Sequence, residues 1–472
     1  MHLDYLLAWL LPLLAGSGVC CLLQADVRVA GRQAALLGSG WIAGVYAAAV
    51  VAGLTARADT AHAFAIASPW LAVLAVLTWG GVLLRTRFRT AQLRAAGMHV
   101  PMASLARVAW WLLATAIVVR LLMIGDEAAL RPVFPWDAWS AWSVKPKSWM
   151  LLGRADPFVS LSDWLSDPAG ALRTAATWNY PEWLAWIEIW FASAAGGWND
   201  PLVDVAWCGA LASLALAAYG YWRGAGLAAL PAIALVYALV SLPLLEAHVA
   251  LAGYADLWVG VTLGLAVLAW SRWLMFRERG QWLLGVAFAA CLPAIKLEGA
   301  IWLGVFAAIV ALELIPSRWR LRAVAVVAGA LAIGLLSGGF SVPVPGLGWV
   351  GVAWGKLTIP AMPAFELKWH PVGEATLASL FALPNWHLLW YAFPLVVLWR
   401  WRSLQRDPAV RMLGLLVAAQ FILLFVLFFF TTAAAWAEDF TSANRLVLQI
   451  VPCVFAFVAA LLREPPQASA VR

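Results

Sequence analysis

The chain has 472 residues, 64% of them hydrophobic and only 12% charged, with a mean hydropathy of +0.85. No water-soluble globular domain needs so much apolar material to fill its core, so the composition implies an integral membrane protein. The formal charge of +7 comes from arginines grouped between apolar runs, where they act as orientation signals, and no nucleic-acid partner is read from it.

The apolar runs are continuous and do not alternate with period two, which predicts helices rather than a barrel. Runs suited to a bilayer core about 30 Å thick fall at 3–23, 34–54, 63–84, 105–124, 202–222, 227–245, 250–271, 281–295, 299–315, 321–340, 385–399, 410–432 and 446–462. The expected fold is an all-α polytopic membrane protein with about thirteen transmembrane helices and a large outer loop containing surface helices. The start lacks a basic n-region, so 3–23 reads as a retained first span and not a cleaved signal.

Basic residues orient these spans. Arg28 and Arg32, then Arg85, Arg87, Arg89 and Arg94, Arg223, and the group Arg272, Arg277 and Arg279 mark cytoplasmic ends. Arg318, Arg320 and Arg322, then Arg400, Arg402 and Arg406, and finally Arg463 continue the same topology. It holds only if 181–197, "PEWLAWIEIWFASAAGG", does not cross. That segment is short and carries Glu182 and Glu188, so it is expected to lie on the outer membrane surface as an amphipathic helix with tryptophans at headgroup level. Residues 125–201 and 341–384 then form two outer loops. The chain divides into three helices and a basic loop (1–104), a main module (105–462) and a cytoplasmic tail (463–472) whose "EPPQASAVR" is the one candidate for disorder.

The first outer loop contains "RPVFPWDAWSAWSVKPKSWM". Pro132 and Pro135 stop any helix leaving the fourth span, and Asp137 sits between Trp136 and Trp139. A carboxylate held against aromatic rings at a membrane surface is partly desolvated, which suits it to take a proton from a hydroxyl; the bland alternative is an interfacial loop acid among tryptophan anchors. Asp126 and Glu127, at the end of the fourth span, fit the bland reading better. Lys145 and Lys147 can hold a phosphate or anchor to lipid headgroups. In "GYAD", Asp256 lies about one turn inside an outer helix end and wants a cation, which Lys296 on a neighbouring helix can supply. In "LPAIKLEGAIW", Lys296 and Glu298 interrupt an apolar run at the outer face; two residues apart, they meet only if Pro293 and Gly299 open the helix. Arg445 stands on the outer side before the last span, where orientation does not call for it and its planar fork suits phosphate. The five cysteines and His62, His99, His248, His370 and His387 lack ligand spacing, so no metal site is read.

Together, "PWDAW", "NYPEW", "GYAD", "AIKLEG" and "NRLVLQIVP" make residues 105–462 resemble the GT-C superfamily of polytopic membrane glycosyltransferases, in particular bacterial members similar to protein mannosyltransferases and lipid A aminoarabinose transferases. The resemblance implies a sugar moved from a polyprenyl-phosphate donor to a hydroxyl of a protein, glycan or lipid acceptor. It also implies a bacterial inner-membrane protein working at its outer face; no cofactor is read, and one acid leaves a divalent metal open. Asp137 matches the family's catalytic acid, and Lys296 and Arg445 match positions near the donor phosphate, with Lys145 and Lys147 as further candidates. Trp136, Tyr180, Glu182, Asp256 and Glu298 are the substrate-binding residues it implies. The chain departs from relatives with Asp-Glu in the first loop: it has Asp137-Ala138, so a second carboxylate must come from elsewhere, with Glu182 as the candidate, or is not needed. Three spans also precede the family's usual first helix. The rival class is a transporter or flippase of a lipid-linked sugar, which also wants intramembrane charges.

Overall fold

The computed structural model of the protein describes residues 3–24, 29–88, 102–344, 348–360 and 364–463. Arg28, Arg89, Arg94, His99 and the 464–472 segment lie outside these residues, as does the side chain of Arg87.

In chain order the helices are α1 (Leu3–Leu23), α2 (Arg32–Thr55), α3 (Ala63–Phe88), α4 (Ser104–Leu130), α5 (Val144–Leu152), α6 (Leu161–Leu165), α7 (Trp183–Ala194), α8 (Asp200–Gly224), α9 (Ala229–Val240) and α10 (Pro243–Ala250). There follow α11 (Ala255–Phe276), α12 (Arg279–Ile295), α13 (Gly299–Leu314), α14 (Ser317–Leu336), α15 (Gly373–Leu377), α16 (Leu389–Trp399), α17 (Trp401–Arg406), α18 (Pro408–Phe430), α19 (Ala435–Glu438) and α20 (Ser442–Leu462). Among the described residues nine of them, α1–α4, α8, α11, α14, α18 and α20, are long and apolar enough to cross a membrane. The chain is an integral, polytopic helical membrane protein. The span expected at 227–245 is broken after Val240, where Pro243 opens α10 and the axis turns by 59°; counted as one, this pair makes a tenth crossing. The spans expected at 281–295, 299–315 and 385–399 form α12, α13 and α16, of 17, 16 and 11 residues. These fall short of the roughly 20 residues of a full crossing, so length does not carry the number thirteen.

Helices α11 and α20 are the most buried of the long helices and pack on each other, with α12 and α8 against α11. The first three helices join the same core: α2 packs on α1, α7 and α8, and the Tyr5 hydroxyl donates to Leu202 O at 2.6 Å. Basic residues gather at one end of this bundle. Arg85 donates to Leu22 O at 2.6 Å, Arg272 to Gly224 O at 3.1 Å and to Glu278, Arg277 and Arg320 share Glu313, and Arg463 pairs with Asp407. From Arg272, α11 rises about 24 Å to Asp256 at its opposite end.

Two expectations are corrected. The 181–197 segment is not an amphipathic surface helix: α7 is buried on every side, Glu188, Trp186 and Trp190 included, and the Trp190 indole donates to Ala8 O at 2.9 Å. Its residues are apolar all round and Glu188 does not mark a wet face. Burial, reinforced by Asp204, pushes the Glu188 carboxyl well above the usual carboxylate range. The second outer segment is not wholly loop. Strands β1 (Phe340–Val344), β2 (Gly348–Ala353), β3 (Lys356–Thr358) and β4 (Phe365–Glu366) form an antiparallel meander in the order β1-β2-β3-β4. Ala353 pairs with Lys356 across a two-residue turn, and Pro343, which has no N–H to give, sits in the edge strand β1. The N–H groups of Lys368 and His370 donate to the last carbonyls of α18, at Phe430 (3.0 Å) and Phe429 (2.8 Å), and so tie the sheet to the end of the bundle opposite the arginines.

Candidate functional site

A cavity of about 460 Å³ opens at that end. Of the residues singled out from the sequence, Asp137, Tyr180, Asp256, Lys296, Glu298 and Arg445 all line it. Each charged one sits at a helix terminus: Asp137 after α4, Asp256 in the first turn of α11, Lys296 and Glu298 in the break between α12 and α13, and Arg445 in the first turn of α20.

Local sequence explains each placement. After Pro135 the chain makes a single wide π turn, Ala138–Trp142, before α5 begins, and Asp137 caps that turn. Ala138 is fully buried against Gly253, whose φ of +105° favours glycine and whose added Cβ would lie 2.5 Å from the Ala138 Cβ. The close contact joins "WDAW" to "GYAD" and leaves no room for a second carboxylate at 138. Lys296 is extended (φ −152°, ψ 148°), so α12 ends before it and α13 restarts at Gly299. The opened backbone lets Lys296 Nζ meet Glu298 Oε1 at 3.2 Å. A Cβ on Gly299 would lie 2.1 Å from Leu292 O, so only glycine lets the two helices turn this tightly.

The charges fall into two groups. Lys296 Nζ donates to Asp256 Oδ1 at 2.9 Å, and both side chains are buried. Gln449 Nε2 donates to the same oxygen at 2.6 Å, and the Trp302 indole donates to Gln449 Oε1 at 2.5 Å. Across the cavity, Arg445 Nη1 donates to Asp137 Oδ2 at 2.5 Å and Nη2 to Ser442 Oγ at 2.9 Å; the guanidinium lies 5.1 Å from the Tyr254 ring centre. Asp137 therefore faces a guanidinium and not bare tryptophan rings. It is the more open of the pair, its side chain 38% exposed against 21% for Arg445. Tyr180 stacks at 4.8 Å on Trp142, and burial raises its phenol.

Four expected residues lie elsewhere. Lys145 is buried and donates to the carbonyls of Trp178 (2.8 Å) and Tyr180 (2.6 Å), so it pins the segment that carries Tyr180 and stands outside the cavity lining. Lys147, about half exposed, pairs with Asp200 at 3.3 Å outside the lining. Glu182 pairs with Arg57 at 2.5 Å outside the cavity lining, where Asp256 and Glu298 are the acids beside Asp137. Trp136 is 70% exposed and packs edge-on against Trp139, outside the lining. The sequence reading missed Gln449, Ser442, Thr177 and Asn179. Gln449 had a signal: it is four residues after Arg445, on the same face of α20.

Among the described residues no group of three or more His, Cys, Asp or Glu side chains is placed to hold a metal ion. The cavity is lined by two cations, each paired with an acid, and by one partly open carboxylate, Asp137. No known protein family, curated protein or solved structure matches this chain, so the site is interpreted from its own residues.

Proposed function

We propose that the protein is an inverting glycosyltransferase that moves a sugar from a polyprenyl-phosphate donor to an acceptor hydroxyl at the outer face of a bacterial inner membrane. The observation that carries this reading is the meeting of Asp137, Arg445 and Lys296, from distant parts of the chain, around one cavity at the end of the bundle away from the arginine clusters. Nucleotide-sugars are absent outside the cytoplasm, so a donor there must travel on a lipid.

The surroundings suit such a donor. Two apolar crevices of about 260 and 600 Å³ share Phe421 and follow α18 from Arg411 to Phe429, about 27 Å by helical rise. The nearer one reaches Ala443 and Val447 on the first turns of α20, while Ser442, Arg445 and Leu446 of the same turns line the polar cavity. An isoprenoid tail lying there ends beside the first turn of α20, and its phosphate reaches the guanidinium by passing round the N-terminal end of that helix. The phosphate then competes with Asp137 for Arg445, and the carboxylate is released as the donor docks. Asp137 takes the proton of the acceptor hydroxyl while that oxygen bonds to the anomeric carbon. The bond from that carbon to the phosphate oxygen breaks, its electron pair stays on the phosphate, and Arg445 and Lys296 stabilise the second negative charge. One in-line displacement inverts the anomeric centre.

The test is product analysis with purified protein in detergent, which has no two compartments. A transferase given polyprenyl-phosphate sugars and a panel of acceptors releases polyprenyl phosphate and forms a glycoside of inverted configuration. Retention rejects single displacement. A flippase has one observation in its favour, the broken α9–α10 helix whose Glu246 pairs with Arg120 of α4. Sugar-lipid movement in liposomes without any transfer in detergent selects that reading.

A further inference from the structure

The polar groups that line the cavity divide into those already spent and those still free. Thr177 gives its hydroxyl to Ala141 O at 2.9 Å, Ser442 accepts from Arg445, and both cations are held by acids. The Asn179 amide, the Tyr180 phenol, the Thr432 hydroxyl and the Trp436 indole N–H have no hydrogen-bond partner among the described residues. None of the four is closed off: Asn179, Tyr180 and Trp436 are partly exposed and Thr432 is exposed. The two segments that carry them are held in place. Lys145 donates to the carbonyls on either side of Asn179, at Trp178 and Tyr180. Thr431 accepts from the Ala433 N–H at 3.1 Å and so caps the turn that begins at Thr432. Trp436 rests edge-on against Phe365 of β4, with ring centres 5.8 Å apart, so the meander props one wall of the cavity.

We propose that Asn179, Tyr180, Thr432 and Trp436 form a platform for a sugar ring, which makes the acceptor of the transfer a neutral glycan and not a protein or a lipid. The inference rests on the glycosyl-transfer reading and names its acceptor class. A pyranose carries hydroxyls round its edge and C–H groups on its faces. An accessible indole or phenol ring covers a C–H face, and an amide offers an acceptor beside two donors to neighbouring hydroxyls. A few free polar groups set among aromatic side chains is how a pocket fixes the orientation of a small ligand. Asp137 has to touch the hydroxyl it deprotonates, and it is the more open member of its ion pair, so the acceptor lies over the open part of the cavity. Once a donor phosphate takes Arg445, no cation of the lining is left for a charged acceptor, because Lys296 lies between Asp256 and Glu298. A lipid alcohol or a threonine side chain brings one hydroxyl to these four groups, whereas a sugar brings several.

The test uses the purified full chain in detergent. Binding of a set of methyl hexosides and of an acetylated threonine tripeptide amide is read by saturation-transfer NMR, and transfer from polyprenyl-phosphate sugars is measured to both and to a lipid alcohol. At least one methyl hexoside should bind and should be the preferred acceptor. Trp436→Leu should weaken its binding and raise its KM about tenfold, with Trp436→Phe within about threefold of the wild type. Asn179→Ala should raise the same KM about fivefold while the donor KM stays within about twofold. A rise in the donor KM in place of the acceptor KM assigns the platform to the donor sugar and overturns the proposal, as does an equal rise of both in all three variants. Preference for the tripeptide or the lipid alcohol overturns it and keeps the transferase. A hexoside that binds and is lost in Trp436→Leu, with no transfer from any donor, keeps the sugar platform and overturns the transferase reading.

Discussion

Replacing Lys296 by methionine keeps most of the side-chain length and removes one positive charge from between two acids. Its ammonium lies 2.9 Å from Asp256 and 3.2 Å from Glu298, and both it and Asp256 are buried. Deleting one member of a buried ion pair costs about 3–5 kcal/mol, because the partner is left charged and alone or must take up a proton. Gln449 still donates to Asp256, which places the expected loss near the lower end, about 3 kcal/mol. Asp256→Asn in the same chain removes the stranded charge, so the double variant should be more stable than Lys296→Met alone, with a coupling of about 2 kcal/mol. The assay is unfolding of the four proteins by SDS titration in mixed micelles. If the two single losses add to the double within about 0.5 kcal/mol, Lys296 and Asp256 do not act as a unit.

Asp137→Asn preserves shape and removes the base, so transfer should fall about 100-fold or more while donor lipid still copurifies; near-normal turnover makes Asp137 an interfacial anchor. Arg445→Lys keeps the charge and loses the planar fork, so it should cost less transfer than Arg445→Met, by about 1–2 kcal/mol in activation free energy; equal activities move the phosphate site elsewhere. Burial holds the Lys145 ammonium down to about 8, against the pull of Glu182. The folded state therefore gives up this proton before the unfolded chain does, and stability should rise with pH between about 8 and the ordinary lysine value near 10.5. Lys145→Met should lose that rise when unfolding is followed across the same range. In a cysteine-free background, cysteine at the exposed Ser162 should react with an impermeant reagent in intact cells and cysteine at the exposed Ser317 should not; the opposite pattern rejects the outer location of the cavity.

Six of the ten residues singled out from the sequence meet at the cavity, and for the four on apolar helix ends, Asp256, Lys296, Glu298 and Arg445, one physical fact made them legible. Ionisable groups at the ends of apolar helices are expensive, so Asp256, Lys296 and Arg445 stand out against their surroundings, and helix polarity alone puts them on one side. Lys145, Lys147 and Glu182 were not legible in the same way. They lie in a polar loop, where a charge has many partners to choose from, and theirs proved to be two backbone carbonyls, Asp200 and Arg57. The meander at 340–366 was missed because its strands are short and interrupted by Pro343 and several glycines, and its order depends on α18 holding its far edge. Gln449 was read as part of an apolar span, yet a buried amide four residues after Arg445 is costly for the same reason as a charge. Helix α7 was misjudged because two glutamates and a row of tryptophans resemble a surface helix when burial against other helices is not visible.

The burial of α7 bears on how the chain assembles. Its twelve residues rise only about 18 Å, too little to hold a place across lipid unaided, and Glu188 adds a polar group that hydrocarbon would not accept. It needs a protein-lined berth, and α1, α2 and α3 provide much of one. Those helices leave the ribosome before α7 does. The three N-terminal helices take no part in lining the cavity, yet they seat α7, and the Lys145 clasp holds the segment before it, with Tyr180 beside Trp142. Removing the trio would leave every cavity-lining residue in the chain and nothing to seat the helix that positions their first loop.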